Sequence, residues 1–360
     1  MRFDNACIDG ERATVAAVGD VLIHHELAKQ AVSDDGRFRS IWAGVADLLA
    51  RADVTYANLE GAIAPGLAKN ARKVRDPGHT FDGVVYTGYP RFNYHPSLAA
   101  DLLADGVDVV STANNHTFDR ELAGIDATID ALRDAGLKFT GTRRGDEGGK
   151  GGYAVTDAGP LKVAWIACAG FTNRHKDLDT KQLIRCDSDD GTVLRLIRKL
   201  SAQDGIDAVF VTPHWGKSYV HEPRKQEVDW AHEWLDAGAT AVFGGHPHVL
   251  QPWEQYVTKD GRQTFVVYSL GNFVSHQPEL PRRTTAIVYL GLTRDAEGVT
   301  HINGAGYVPV HVRQAGERFF AEAIDRVGGL DDARDHVASI FPAENLLGPD
   351  DPLVTNPECR

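Results

Sequence analysis

Thr14–Asp20, with the sequence TVAAVGD, is an apolar run that ends in a glycine and a carboxylate. Short β-branched runs bounded by glycine or aspartate are typical of buried strands. Five short polar motifs occur along the chain, all but one at the end of such a run. They are Gly19-Asp20, Asn58-Leu59-Glu60, Asn114-Asn115-His116, His214-Trp215-Gly216 and Gly245-His246-Pro247-His248. Oxygen ligands come first and imidazoles last, a set that suits two hydrolytic divalent metals at one edge of a sheet.

Apolar runs and amphipathic stretches alternate along the chain, which predicts an α/β layered fold with parallel strands. The predicted strands are Thr14–Gly19, Val54–Leu59, Val107–Thr112, Lys162–Ala169, Ala208–Thr212, Thr240–Phe243, Phe265–Ser269 and Thr285–Leu292. The predicted helices are Ser97–Ala104, Glu121–Ala135, Thr192–Ala202 and Arg224–Ala237. After Phe265 strands follow each other without helices, so that part is expected to be antiparallel. The result is a mixed sheet, or a sandwich of two sheets flanked by helices.

We expect one domain over residues 1–340 and a surface-draped tail over residues 341–360. Residues 65–96 and 171–185 lack periodicity and are predicted to be long loops, which are often functional in compact domains.

Composition argues against several classes of protein. The chain has 360 residues, 42% hydrophobic and 24% charged, with a net charge of -12 and a pI of about 5.6. This is ordinary globular composition, and the acidic balance argues against a nucleic-acid partner. No stretch approaches the ~18 apolar residues of a membrane span, and no signal segment is evident, so the chain as written is expected to be cytoplasmic. Four cysteines without metal-type spacing predict no disulfide framework, and Cys168 is expected in the core.

The first three motifs supply candidate oxygen ligands and an acid. Asp20 projects beyond a strand end as a ligand, or it caps a following helix. Glu60 has two oxygens that can bridge two metals, although a lone glutamate there is more often solvated. Asn115 offers a neutral oxygen ligand, and the adjacent His116 can protonate a leaving group with Asp119 orienting its imidazole. The alternative for this triplet is turn chemistry before a helix.

Histidines form the second half of the predicted site. His214 follows one apolar run, and His246 and His248 flank a proline after another, so that the pair presents two imidazoles on the same side. Three histidines at strand ends favour ligands over structural roles. His24 lies four residues after Asp20 and would share a face with it on a helix, as an extra ligand or a substrate contact, or else it is a surface histidine.

The strings GDVLIH, YANLEG, STANNHTFD, TPHWG, GGHPHVLQPWE and VYSLGNFVS together resemble the capsule and poly-γ-glutamate biosynthesis proteins of the CapA type. That family is similar to the calcineurin-like metallophosphoesterases. The resemblance implies a four-layer α/β/β/α sandwich with mixed sheets and a dinuclear centre. It places Asp20 and His248 on the first metal and Glu60 in the bridging position. The second metal's ligands would be Asn115, His214 and His246, with His116 as the general acid.

The chain departs from the phosphoesterase pattern at Leu22 and Glu60, and from the usual CapA-type pattern at Ser218 and Arg120. Leu22 stands where a metal-binding histidine is expected, with His24 as its possible substitute. Glu60 replaces a bridging aspartate and is one methylene longer. Ser218 replaces an acidic residue before Tyr219, and Arg120 replaces a glycine. These changes bear on the first metal and the substrate rather than on the fold.

The function predicted from the sequence is metal-dependent hydrolysis of an anionic substrate, most simply a phosphoester, by activated water. Imidazole-rich ligation favours Mn, Fe or Zn as the two divalent ions. An anionic small molecule or polymer would contact basic loop residues and one tyrosine: Arg72, Lys73, Arg174 and Tyr219. The loop clusters Arg174-His175-Lys176 and Arg282-Arg283 are further candidates, or solvated surface charge. The alternatives are a non-catalytic accessory component of capsule or poly-γ-glutamate synthesis, and a γ-glutamyl amide hydrolase that uses the same centre.

Overall fold

The structure is a computed structural model, and it describes residues 1–35, 37–148, 151–174, 181–188 and 191–353. The strands are β1 Glu11–Val21, β2 Val54–Leu59, β3 Val109–Ser111, β4 Lys138–Thr140, β5 Tyr153–Ala158, β6 Leu161–Ala169, β7 Ala208–His214, β8 Ala241–Phe243, β9 Leu250–Val257, β10 Gln263–Leu270, β11 Asn272–Val274, β12 Thr284–Arg294, β13 Thr300–Ala315 and β14 Arg318–Ala323. The helices are α1 His25–Ser33, α2 Ala46–Leu49, α3 Ser97–Ala104, α4 Glu121–Ala135, α5 Thr192–Ser201, α6 Lys225–Asp236, α7 Leu280–Arg283 and α8 Asp331–Ala338.

The strands form two mixed sheets. The first has the order β14-β13-β12-β1-β2-β3-β4, with β11 paired to β1, and the second has the order β5-β6-β7-β8-β10-β9. Strands β1 to β4 are parallel, as are β6, β7, β8 and β10. Strands β12, β13 and β14 pair antiparallel, which confirms the expectation for the later part of the chain.

Alternating side chains of each strand build three apolar layers. Val15 of β1 faces the second sheet, where it shares a core with Phe210. Its neighbour Ala16 instead packs with Leu98 of α3 on the outer face of the first sheet. Helices α5 and α6 cover the outer face of the second sheet. The expected α/β/β/α sandwich is therefore confirmed. Each sheet has one face toward the other sheet and one toward helices, because successive side chains of a strand point to opposite faces.

The two sheets approach each other closely where β10 passes into β11. A Cβ atom on Gly19 would lie 1.9 Å from the carbonyl oxygen of Gly271, so only glycine fits at position 19. The backbone N–H of Asp20 donates to that same carbonyl at 2.9 Å. This contact joins the carboxyl ends of strands from both sheets at one edge of the sandwich, where ligands bind in α/β folds.

Several sequence expectations need correction. Cys168 is buried as expected, but it forms a disulfide with Cys186, contrary to the expectation of no disulfides. The pairing arises because the loop after β6 returns alongside it, with the Cys186 N–H donating to Ala169 at 3.1 Å. His175, Lys176 and the last seven positions of the predicted tail lie outside the described residues. Among the described residues, no helix is long and apolar enough to cross a membrane.

Candidate metal centre

Except for His24, the predicted ligands stand at or just after the carboxyl ends of parallel strands, and all of these are buried. Asp20 of β1 pairs with Asn58 of β2, and it lies one residue before the end of β1. Glu60 follows β2 directly, and His214 is the final residue of β7. His246 and His248 follow β8, and both adopt positive φ angles, 98° and 59°. Both imidazoles lie beside Glu60, and backbone strain of this kind is common at functional sites.

The ligand atoms form two groups with one shared carboxylate. In the first group, ligand atoms of Glu60, His214 and His246 all lie within 4.8 Å of one another. In the second, atoms of Asp20, Glu60 and His248 meet the same limit. Asn115 adds a neutral oxygen to the first group, because its Oδ1 lies 3.0 Å from His214 Nε2. A carboxylate shared between two clusters is the arrangement of a two-metal site.

The residues fit a pair of divalent cations. Both carboxylate oxygens of Glu60 are buried, and neither has a hydrogen-bond partner among the described residues. Burial, together with the nearby Asp20 carboxylate, raises the pKa of Glu60 well above its ordinary value. Burial lowers the pKa of His214 and His246 well below the usual range, so both imidazoles are neutral and able to ligate. A bound cation would compensate the buried charge of Glu60, since buried charges are paired or coordinate metals.

Three side chains to which the sequence analysis assigned no part in the site contact the candidate ligands. Asn58 donates to Asp20 at 2.7 Å, and Asn272 Oδ1 lies 2.9 Å from His248 Nδ1. The Ser218 hydroxyl bonds His246 Nε2 at 3.1 Å, whereas the buried Nδ1 of His246 has no partner among the described residues. Such outer contacts fix the orientation of ligating rings. Their only sequence signal was their place inside or beside the quoted motifs.

His116 is oriented but stands apart from the ligand groups. Its Nδ1 lies 2.7 Å from Asp119 Oδ2, while its Nε2 is 3.9 Å from Glu60 and 3.3 Å from the amide of Asn173. Asp119 also accepts the backbone N–H of Phe92 at 2.6 Å, which fixes the carboxylate. Because Asp119 occupies the Nδ1 side of the ring, the Nε2 atom faces the centre. This is the geometry expected of a group that transfers a proton.

The helical spacing expected for Asp20 and His24 is wrong. Asp20 lies within β1, and His24 precedes α1, so the two residues do not share a helix face. Burial lowers the pKa of His24 to about 4, and its Nδ1 contacts the Leu22 carbonyl at 3.2 Å. Its ring lies against Phe92 at 5.4 Å. His24 belongs to neither ligand group, although it lies beside the centre.

The predicted substrate residues fall at different places. Tyr219 lies at the rim, with its ring 5.9 Å from that of His248. Arg174 pairs with Glu121 at 2.5 Å and directly follows Asn173, which contacts His116. Arg72 and Lys73 are exposed in the loop before α3, and the structure shows no contact of either with the ligand groups.

Arg120 is fully buried and ties the long loop to Asp119. Its guanidinium donates to three backbone carbonyls and one hydroxyl: those of Leu67, Asp119, Val85 and Thr87. Burial lowers the pKa of this guanidinium to about 10. The residue that departs from the family pattern at this position thus fixes the loop beneath the predicted acid.

The fold and the buried ligand set define a two-sheet sandwich protein with a candidate dinuclear metal centre at one sheet edge. The chain belongs to the bacterial capsule synthesis protein PGA_cap family, whose model matches residues 14–277.

Two curated relatives and one solved structure are similar to the chain. The capsule biosynthesis protein CapA of Bacillus anthracis is 25% identical over 331 residues, covering 88% of this chain and 72% of that protein. The PGA biosynthesis protein CapA of Bacillus subtilis is 31% identical over 202 residues, covering 53% of this chain and 48% of that protein. A phosphatase from Mycoplasma pneumoniae aligns over 84% of this chain and 95% of its own, with a TM-score of 0.45 and 12% identity.

Proposed function

We propose that the protein is a metal-dependent hydrolase that acts on an anionic substrate, a phosphoester in the first instance. The observation that carries this proposal is the Glu60 carboxylate, buried with both oxygens unpartnered among the described residues and shared by two ligand groups. A buried carboxylate in this state destabilises the fold by roughly 1–3 kcal/mol unless it meets a cation. The buried Glu60 carboxylate lies beside neutral imidazoles at the edge of the sheets, and this combination favours a metal-binding function.

The residues would divide the work as follows. One ion would be held by Asp20, Glu60 and His248, and the other by Glu60, Asn115, His214 and His246. When bound, the pair of ions supplies a nucleophile from water at neutral pH and polarises the group under attack. Imidazoles with carboxylates favour Mn, Fe or Zn over Mg or Ca.

His116 would carry the proton for the leaving group. Asp119 accepts from its Nδ1 side and stabilises the imidazolium, which leaves Nε2 to donate. The side-chain amide of Asn173 lies 3.3 Å from Nε2 and would help to position the leaving oxygen beside it. Phe92, whose ring centroid lies 4.8 Å from that of His116, excludes water from the ring face.

A second candidate is a non-catalytic role in polymer synthesis. The two curated relatives are named for biosynthesis of capsule or PGA rather than for hydrolysis, which favours an accessory component that uses the centre to grip an anionic polymer. Hydrolysis of γ-glutamyl amide bonds by the same centre is the third reading.

Turnover assays distinguish these candidates. The purified protein, loaded with manganese, is assayed on generic phosphomonoesters, phosphodiesters and γ-glutamyl amides, with a chelator as the blank. His116→Ala should lower turnover about 10²–10⁴-fold with metal retained, and His246→Ala should lower both metal content and turnover. His232→Ala is the matched control, because His232 pairs with Glu254 at 2.9 Å on the outer side of the second sheet. Bound metal without turnover of any substrate would refute catalysis and favour the accessory role.

A further inference from the structure

Beside the Asp20 and His248 group, three side chains form a surface that we name the Arg282 shelf: Tyr219, Gln277 and Arg282. The guanidinium carbon of Arg282 lies 3.5 Å from the centroid of the Tyr219 ring, a stacked cation–π contact. The Tyr219 ring is in turn 5.9 Å from the ring of His248. Tyr219 is 45% exposed, so the shelf opens to solvent at the rim of the candidate centre.

One amide ties the shelf to the metal centre. Asn272 Oδ1 contacts His248, while its Nδ2 donates to the Arg282 carbonyl at 2.8 Å and to Gln277 Oε1 at 3.0 Å. On the other side, the backbone N–H of Tyr219 donates to the Pro247 carbonyl at 2.7 Å. Both halves of the shelf are therefore fixed to the loop that carries His248, and they hold a set position relative to it.

The backbone of Tyr219 also shows that its ring is held in place. Its φ angle is 66°, a conformation that costs a residue other than glycine about 1 kcal/mol or more and persists where the surroundings require it. The Gln277 amide lies 3.4 Å from the Tyr219 hydroxyl and closes the shelf. The strain places an aromatic platform under a guanidinium at the mouth of the centre.

Stacking on the Tyr219 ring does not occupy the N–H donors along the edge of the Arg282 guanidinium, which can therefore bind a planar oxyanion in exchange for Glu279. Arg282 pairs with Glu279 at 2.8 Å, but Glu279 is 51% exposed, and such a pair is weak and exchangeable. Arginine binds carboxylates and phosphates through two parallel N–H donors, and aromatic stacking does not use those donors. In a chain with a net charge of -12, a cation fixed at this rim gives local attraction for a negative group.

We propose that the Arg282 shelf binds a second anionic group of the substrate, a carboxylate or a phosphate, separate from the group held at the metal centre. This inference rests on the proposed function and adds to it the substrate class: molecules that carry two negative groups. A single negative group would occupy the centre alone, and the shelf would then discriminate between singly and doubly anionic substrates.

The test uses equilibrium binding, so it does not depend on turnover. A series of ω-carboxyalkyl phosphates of increasing chain length is titrated calorimetrically into the manganese-loaded full chain. Each is compared with the alkyl phosphate of equal length. At the best length, the carboxyalkyl phosphate should bind about tenfold more tightly than its alkyl partner. A parallel series of alkane bisphosphates shows whether the shelf prefers carboxylate or phosphate.

Arg282→Gln should bring this ratio to about one while alkyl phosphate binding stays within about twofold of wild type. Tyr219→Asn should act similarly, because asparagine tolerates the positive φ angle but removes the ring. Lys217→Gln is the matched control, since it removes one exposed cation from the same loop and should leave the ratio unchanged.

Three outcomes would overturn the shelf. The first is equal binding of both ligands by the wild-type protein, and the second is an unchanged ratio in Arg282→Gln. The third is a parallel loss of both ligands in that variant, which would make Arg282 a support of the centre. Failure of the manganese-loaded wild-type protein to bind any alkyl phosphate would instead refute the proposed function itself.

Discussion

Replacement of Glu60 by glutamine should stabilise the metal-free protein and abolish its stabilisation by metal. The Glu60 carboxylate is fully buried, both oxygens lack partners among the described residues, and the Asp20 carboxylate lies nearby. Glutamine keeps nearly the same shape but carries no charge, so it relieves the repulsion from Asp20. The same change removes the ligand that both candidate metal positions share.

The size of the effect follows from the cost of an unpaired buried group. Leaving a buried charged acceptor unsatisfied costs roughly 3 kcal/mol, and an unsatisfied neutral amide costs about 1 kcal/mol, so the metal-free variant should gain about 2 kcal/mol. An unfolding entropy of about 2.1 cal/mol/K per residue converts this gain to a rise in Tm of roughly 3 °C for a chain of this length.

The gain should depend on pH. The pKa of Glu60 is raised in the folded state, above the 4.5 that is usual for a glutamate. At pH values between the ordinary pKa of 4.5 and the raised pKa of the folded state, the unfolded chain binds fewer protons than the folded chain. The stability of the wild-type protein therefore falls as pH rises through this range. Glutamine does not titrate, and the advantage of the variant should therefore grow as pH rises above 4.5. His214 and His246 have lowered pKa values and cost stability below 6.5, but they do so in both proteins.

Glu227 supplies a control of opposite sign. It is equally buried, but its carboxylate accepts the Arg224 backbone N–H at 2.6 Å and pairs with the Arg224 guanidinium. Glu227→Gln should therefore lower the free energy of unfolding of the metal-free protein by about 1–3 kcal/mol, and its Tm should fall accordingly. The Tm values of the wild-type protein, Glu60→Gln and Glu227→Gln are measured by thermal unfolding after chelator treatment, with and without added manganese. A Tm for Glu60→Gln equal to or below wild type would refute the reasoning.

Three further predictions concern the neighbouring residues. His116→Asn should retain bound metal but lose about 10²-fold or more of phosphoester turnover, and Asp119→Asn should lose somewhat less. Turnover by His116→Asn equal to that of the wild-type protein across the pH–rate profile would contradict the assigned proton transfer. Arg120→Met should lower the free energy of unfolding by about 3 kcal/mol in urea titrations, because buried carbonyls lose their donor, whereas an unchanged midpoint would show that the loop stands without it. Loss of the Cys168–Cys186 disulfide in Cys168→Ser should cost about 3 kcal/mol of stability by loop entropy, visible as a lower Tm than wild type without reductant, and an unchanged Tm would contradict this role.

Strand ends could be predicted from the sequence because the local signal and the fold agree there. The predicted limits Val54–Leu59 are those of β2, and the predicted limits Glu121–Ala135 are those of α4, which is followed by Gly136 at a φ of 77°. Since carboxyl ends of parallel strands share one edge, residues placed after them were expected to converge, and the structure brings Glu60 and His214 together.

Features that depend on tertiary pairing were missed. Asn272 reaches His248 only because β11 pairs with β1, a contact between distant parts of the chain. Strand β13 lies largely within the part expected to be antiparallel, but its limits were not predicted because its glycines and Pro309 weaken the strand signal. Pro309 is accommodated opposite Ala286 in the antiparallel ladder.

The error at His24 has a local cause. The residues Val21-Leu22-Ile23 continue the apolar run after Asp20, and such a short run does not distinguish strand from helix. The strand β1 extends through Val21 because it gains β11 as a partner, and α1 begins only at His25.

Metal content measured by elemental analysis tests the central claim most directly. After reconstitution with manganese and removal of free ions, the wild-type protein should retain about two ions per chain. His246→Ala should retain about one ion, and Glu60→Gln should retain fewer than the wild-type protein does. A wild-type chain that retains no ion above the level of a chelator-treated sample would contradict the account.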